Sequence, residues 1–414
     1  MGYFTTWLQI TPATKVIYKK LKKSIHRKDF SVSDINVIKC KKSNNEKIRF
    51  NIVLPTVNKY KIFGGIATAL KIYESMAKEL NSDMRIIVNR QEHYNKKYSL
   101  EKEGYSYNTG EGEKQFIFLS DKENQLSVRK NDIFLCTSWD TAYCMEAVIK
   151  WKEKNYPEVS SKLLYLIQDY EPGFYAWSSQ YLLADSTYKM NDINVIAIFN
   201  SKELHDYFIN KGYSFSSTYY FMPRLNQKLG ECLNKSKLDR SREKIILIYG
   251  RPNTERNAFA IIVHALRLWA ETYENASEWK ILSLGETFED IKVSETMSIS
   301  SKGKVTLEEY ANTMLQAYVG ISLMVSPHPS YPPLEMSTFG VKTLTNNFEN
   351  KNLSHFNKNI ETLDRCTPEA ICEWLKKNCD EYPNKITEID LNNDYVKEEN
   401  MMKKMIEDIA GELN

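Results

Sequence analysis

Apolar residues along this chain come in short continuous runs, separated by longer stretches in which they recur every three or four positions. The runs are "IRFNIVLP" (48–55), "MRIIV" (84–88), "QFIFL" (115–119), "DIFLCTSW" (132–139), "KLLYLI" (162–167) and "INVIAIF" (193–199). Between the first two lies "GGIATALKIYESMAKEL" (64–80), with Ile66, Leu70, Tyr73, Ala77 and Leu80 on one helical face. Helices are also expected over Thr141–Glu153 and Ser201–Lys211. A strand that is apolar at every position is buried on both faces. Such runs between helices predict a parallel sheet covered on each side.

The pattern breaks at "QKLGECLNKSKLDRSREK" (227–244), which is polar and charged. It then restarts with "KIILIYG" (244–250), a helix over Glu255–Glu274, "WKILSLG" (279–285), a helix over Leu307–Gln316, "YVGISLM" (318–324) and "VKTLTNN" (341–347). The fold class expected is α/β, with two Rossmann-like domains facing a cleft. The boundaries expected are a basic extension over residues 1–46, a first domain over 47–226 and a linker over 227–243. A second domain follows over 244–390, and a C-terminal helix within 391–414 packs back on the first domain. Ligands of such folds sit beyond the carboxyl ends of the strands, so the informative residues follow strands.

Composition narrows the setting. The 414 residues suggest about two or three domains. With 42% hydrophobic and 26% charged residues the chain is globular. A net charge of +3 calls for no nucleic-acid partner, and no recognition motif for one follows the basic run. Seven scattered cysteines without a CxxC spacing read as free thiols in a reducing compartment. No apolar run reaches the ~18–20 residues of a membrane span, and the N-terminus lacks a signal-peptide core. The expected location is cytoplasmic. The run "KVIYKKLKKSIHRK" (15–28) has seven Lys/Arg and no acid, with Ile17, Leu21 and Ile25 spaced four apart. It reads either as an interfacial helix on an anionic membrane or as a basic helix docked on its own protein.

Four strand-to-helix turns collect the candidate chemistry. In "YGRPNTERN" (249–257) Thr254 is an expected N-cap, with Arg251 before the helix and Arg256 in its first turn. Cations there oppose the helix dipole, which makes sense if an anion such as a diphosphate sits among them; the alternative is that both point to solvent. In "SPHPSYPPLEMSTFG" (326–340) four prolines stiffen the loop, Pro332 and Pro333 suit a first helical turn, and Glu335 follows in that turn. Glu335 either complements the dipole or accepts hydrogen bonds from sugar hydroxyls. Gly64 and Gly65 open the first long helix, as a ligand approach or an ordinary loop. In "LIQDYEPGFY" (166–175) Asp169 and Glu171 are candidates for base work or for helix capping. There is no HExxH, no zinc-like Cys/His spacing, no D-x-D and no GxSxG, so no metal ligands are expected.

These residues carry a resemblance. The second half resembles the donor domain of GT-B glycosyltransferases of the family 4 type. Arg251 and Arg256 match its diphosphate-holding pair, Leu334-Glu335-Met336 with Gly340 matches its ribose-binding segment, and Gly64-Gly65 matches its glycine pair. The chain is more similar still to bacterial WsaF-type rhamnosyltransferases, through "QDYEP", "YGRP" with "RN", "EEYA" and "SPHPSYPPLEM", over roughly residues 47–380. The resemblance implies a GT-B fold and transfer of L-rhamnose from dTDP-L-rhamnose to a growing, lipid-linked glycan, with no metal or other cofactor. One departure is Pro327, where the wider family carries a second glutamate; the donor-sugar contact must then come from elsewhere, backbone N–H groups or His328 among them.

On this reading Asp169, Arg251 and Arg256 are catalytic. Gly65, Tyr170, Lys304, Ser326, His328, Tyr331, Leu334 and Glu335 bind the donor, and Gly64, Trp139 and Glu171 face the acceptor. Asp169 is the base if the reaction inverts and orients the acceptor if it retains. The rivals are a GT-B transferase or epimerase for another nucleotide-sugar, and a non-catalytic nucleotide-binding subunit.

Overall fold

The computed structural model describes residues 32, 35–57, 64–89, 99–107, 110–120, 125–235, 242–382, 388–391, 393–397 and 401–413. The basic run 15–28, and the expectation attached to it, lie outside them.

The first domain is built on an eight-stranded parallel sheet. From one edge to the other its strands are Ser217–Tyr220, Asn194–Phe199, Lys162–Ile167, Asp132–Cys136, Arg49–Leu54, Asp83–Val88, Lys114–Phe118 and Ser106–Tyr107. Side chains alternate across a strand, so each central strand feeds two cores. Ile52 and Leu54 pack with Ile72, Tyr73 and Met76 of helix Gly64–Glu79. Val53 points the other way, toward Val148 and Ile149 of helix Trp139–Asn155.

The second domain repeats the plan with seven strands, in the order Ile291–Lys292, Ser298–Gly303, Lys280–Gly285, Glu243–Gly250, Ala317–Ile321, Lys342–Asn346 and Ile360–Leu363. Its first two strands are antiparallel to each other, and its other pairings are parallel. Ile246 and Ile248 face Ile262, Leu266 and Trp269 of helix Phe259–Thr272, while Leu247 faces Met314, Met336 and Phe339.

Two expectations need correcting and one needs extending. Residues 227–235 are no free linker: Gln227–Lys235 is a helix, and Leu229 and Leu233 are buried in the second domain's core. Four-residue spacing of two leucines in a polar stretch was enough to hold it there. The helix expected over Glu255–Glu274 starts as a 3-10 turn, Glu255–Asn257, and becomes α-helical only at Phe259. Between them Ala258 has φ 48°, and the Thr254 side chain makes no capping bond. Within residues 391–413 the chain serves both domains. Tyr395 lies in an apolar cluster with Leu334, and its carbonyl accepts from Leu225 N at 2.9 Å. Helix Met401–Leu413 then buries Met405, Ile406 and Ile409 against helix Gly64–Glu79.

A buried charge network lies at the amino ends of the first sheet. Arg49 Nε and Nη2 donate to the Asp132 carboxylate at 2.8 Å each, Arg85 Nε donates to Asn51 Oδ1 at 2.6 Å, and Arg129 Nη1 donates to Asp83 at 2.7 Å. Arg49, Asp83 and Asp132 are first residues of strands. The network is therefore at the end of the sheet away from the expected site. No helix among the described residues is long and apolar enough to cross a membrane.

Candidate active site

Each sheet has a place where chain order reverses. In the first it lies between strands Arg49–Leu54 and Asp132–Cys136, and in the second between Glu243–Gly250 and Ala317–Ile321. Loops leaving the carboxyl ends there diverge and open a crevice. The loops of the two domains meet each other across it. Asp169, two residues past strand Lys162–Ile167, stands 3.6 Å from Arg256 Nε and accepts a hydrogen bond from the Ser326 hydroxyl. The Phe174 ring lies against the Arg256 guanidinium, 4.2 Å from its centroid. Val325 N donates to Arg256 O at 2.7 Å, which ties the two second-domain loops together.

The electrostatics favour an anion beside Arg251 and Arg256. Burial holds the Arg256 guanidinium below its usual range, with Asp169 opposing that effect and Arg251 adding to it. The Arg251 carbonyl accepts from Thr254 N at 2.9 Å, while its side chain makes no hydrogen bond or ion pair among the described residues. Lys351 is fully buried, donates to Met324 O at 2.6 Å, and is pushed down to about 7 by burial. Glu335 accepts from the Tyr310 hydroxyl at 2.9 Å, and burial pushes its carboxyl up to about 7.

Some of the buried polar side-chain atoms that lack a hydrogen-bond partner among the described residues lie at the same ends of the strands. They include Gln168 Oε1, Asn200 Oδ1, Arg256 Nε, Ser322 Oγ, His328 Nε2 and Asn347 Oδ1. Each follows a strand of one of the two sheets by a few residues. An unpaired buried polar group is costly, so those at these strand ends suit a polar ligand. Two shallow surface concavities lie elsewhere: one is lined by Tyr188, Lys189 and Tyr213, the other by Glu74, Tyr105 and Lys114. Neither includes these residues. Among the described residues no group of three or more His, Cys, Asp or Glu side chains could hold a metal ion.

The structure brings Asp169, Arg256, Ser326 and His328 together and sets the remaining candidates around or away from them. Glu335 is the fifth residue of helix Tyr331–Thr338, one turn deeper than its expected place in the first turn. Pro332 and Pro333 do open that helix. Tyr331 is half-buried, its ring 5.7 Å from that of His328. Lys304 is exposed, within electrostatic reach of Glu286. Gly64 is exposed, and a Cβ on Gly65 would come within 2.7 Å of Gln168 Oε1, so glycine permits that close approach.

Four candidates are corrected. Tyr170 turns inward: its ring packs on Tyr188, Tyr207 and Phe208, and its hydroxyl pairs with that of Tyr213 at 3.1 Å. Leu334 is buried with Leu353, Ile360 and Tyr395, so it supports the loop from behind. Glu171 accepts from Trp139 N at 2.6 Å, capping helix Trp139–Asn155 from another loop, and the Trp139 indole N–H donates to the Tyr175 hydroxyl at 2.8 Å. These bonds hold the Glu171 loop, helix Trp139–Asn155 and Tyr175 together. Sequence reasoning missed Phe174, Lys351 and the role of Tyr310. Phe174 lies inside "LIQDYEPGFY" and Tyr310 inside "EEYA", whereas Lys351 lies in no quoted motif.

Known proteins place the chain. A family model described as "WsaF, N-terminal domain" matches residues 49–202, and one described as "WsaF, C-terminal domain" matches residues 244–376. The chain belongs to the WsaF family. This WsaF-family chain is 27% identical over 215 residues to "O-antigen biosynthesis protein RfbC" of Myxococcus xanthus, a match covering 52% of this chain and 15% of that protein. It thus spans a small part of that relative's length. Among solved structures, "WaaG, a glycosyltransferase involved in lipopolysaccharide biosynthesis" aligns with TM-score 0.52 and 13% identity, over 87% of this chain and 100% of that one. The alpha,alpha-trehalose 6-phosphate synthase of Burkholderia multivorans aligns with TM-score 0.53 and 6% identity, over 89% and 100%. At these identities the likeness is one of fold: the WsaF-family chain has the GT-B fold of glycosyltransferases.

Proposed function

We propose that this protein is a glycosyltransferase that takes L-rhamnose from dTDP-L-rhamnose and adds it to a growing cell-surface glycan. The observation that carries the reading is the meeting of Asp169 with Arg256 and Ser326 beyond the carboxyl ends of the two sheets, beside their switch points. The GT-B fold and WsaF membership support transfer from a nucleotide-sugar. The named role of the Myxococcus relative supports a glycan acceptor. The sugar and the base rest on the resemblance to WsaF-type rhamnosyltransferases.

Arg251 and Arg256 neutralise the charge that develops on the leaving diphosphate, the role a metal ion plays in other transferases. Glu335 accepts a ribose hydroxyl. As the acceptor oxygen bonds to the anomeric carbon, the bond to the diphosphate breaks and the acceptor proton leaves. For an inverted product Asp169 takes that proton. For a retained product the diphosphate takes it, and Asp169 orients the acceptor. Asp169 stands beside Arg256, on the diphosphate side, which suits the second role. Donor binding must loosen that contact, because both anions claim the same guanidinium.

The test is release of dTDP from dTDP-L-rhamnose with a rhamnose-terminated acceptor and EDTA present, followed by the anomeric configuration of the product. Turnover with this donor and none with UDP-, GDP- or ADP-sugars supports the reading. Turnover with another donor alone refutes the rhamnose assignment, and loss of activity in EDTA refutes metal independence.

A further inference from the structure

His328 lies between strand Ala317–Ile321 and helix Tyr331–Thr338, and is 7% exposed. It is held from both sides. The Ser326 hydroxyl, which donates to Asp169, accepts from His328 N at 3.0 Å. The ring Nδ1 accepts from Ser330 N at 3.0 Å. Ser330 has φ 69°, a left-handed backbone uncommon for a residue with a side chain. Such strain persists where the surroundings over-determine it, commonly at ligand sites.

The bond at Nδ1 decides the tautomer. A nitrogen that accepts carries no proton, so the proton is on Nε2. Burial pushes the ring down to about 4, so it is neutral near pH 7. Nε2–H is then a fixed, neutral donor, buried and without a partner among the described residues. Asp169, Arg256 and Lys351 are the charged groups around it, and Tyr331 packs beside it.

We propose that the His328 Nε2–H donates a hydrogen bond to an oxygen of the transferred sugar, making His328 a specificity residue for the sugar and not for the nucleotide. The inference rests on the glycosyltransferase reading above. The reacting carbon must lie between the diphosphate, at Arg251 and Arg256, and the acceptor, near Asp169. The His328 backbone N is one hydroxyl away from Asp169, through Ser326, and its ring lies within electrostatic reach of Asp169 and Arg256. Arginines serve the phosphates, whereas a neutral N–H suits a neutral hydroxyl or ring oxygen. A site built to pair with such an oxygen discriminates strongly against sugars lacking it there.

His328→Asn provides a clean test, because its Oδ1 can replace Nδ1 as acceptor for Ser330 N while nothing replaces Nε2–H. Calorimetry on the full chain would compare dTDP and dTDP-L-rhamnose. We expect His328→Asn to weaken dTDP-L-rhamnose about 10-fold or more while dTDP changes less than about twofold. His328→Ala, which also frees Ser330 N, should weaken both. Nitrogen-15 spectra of the wild-type ring should show the proton on Nε2. Equal losses for the two ligands in His328→Asn, no loss for either, or a proton on Nδ1 would overturn the role of His328 alone. A wild-type protein that binds no nucleotide-sugar would overturn the glycosyltransferase reading and this inference with it.

Discussion

Glu335 sits among Tyr249, Tyr310, Tyr331 and Tyr395, and the Tyr310 hydroxyl is the one hydrogen-bond partner of its side chain among the described residues. Burial raises its carboxyl from the ordinary 4.5 to about 7. The folded protein therefore holds this proton more tightly than the unfolded chain does. Stability owed to the group is undiminished below pH 4.5, falls as pH rises from 4.5 through about 7, and is level above. At about 1.4 kcal/mol per tenfold change, the full cost of the buried charge is about 3 kcal/mol. Glu335→Gln keeps the shape and an acceptor for Tyr310 but carries no charge. Urea unfolding of both proteins, without ligand, should show the variant more stable by about 3 kcal/mol at pH 8 and by under about 1 kcal/mol at pH 5. The same variant should bind dTDP roughly 10–100-fold more weakly, because a charged acceptor for the ribose hydroxyl is gone. A variant that is less stable at pH 8, or equally shifted at both pH values, would refute the argument that the ligand-free site stores this cost.

Other changes separate chemistry from scaffold. Arg251→Ala should lower turnover by about 10²-fold, the scale of one lost electrostatic contact, with unfolding unchanged; unchanged turnover would remove Arg251 from the mechanism. Asp132→Ala leaves Arg49 and Arg85 buried without their carboxylate and should cost about 3–5 kcal/mol in urea unfolding, whereas a loss below about 1 kcal/mol would contradict the buried network. Deleting residues 1–30 should lower binding to vesicles containing anionic lipid and spare transfer to a soluble acceptor; vesicle binding that persists would dispose of the membrane role of the basic run.

The central strands were legible because a parallel strand covered on both faces reads as an unbroken apolar run, as in "KLLYLI" and "KIILIYG". Edge and irregular pieces were not. Strand Ser298–Gly303 reads "SISSKG", and Cys40–Lys42 reads "CKK". Their place comes from pairing, of Ser298–Gly303 with Lys280–Gly285 and of Cys40–Lys42 with Leu126–Val128, which no local pattern records. Helix Gln227–Lys235 was hidden by its charge, since only two leucines anchor it. At the site, the rule that ligands sit beyond strand ends singled out Asp169, Arg256 and Ser326, which the structure brings together. It could not tell which way a side chain turns, so Tyr170 was placed in the cleft although aromatic packing draws it inward. Lys351 was invisible because a lone lysine after a polar stretch gives no sign of burial, which comes from tertiary packing and a bond to Met324 O.

The central claim is that the cleft binds a nucleoside diphosphate through Arg251, Arg256 and Glu335. Thermal unfolding of the full chain with dTDP, UDP, GDP or ADP, each in EDTA, tests it most directly. A ligand at about 100 times its Kd adds about 2.7 kcal/mol, enough for a rise of several degrees. The account predicts such a rise for dTDP, absent in Arg251→Ala. No shift with any of the four nucleotides would contradict it.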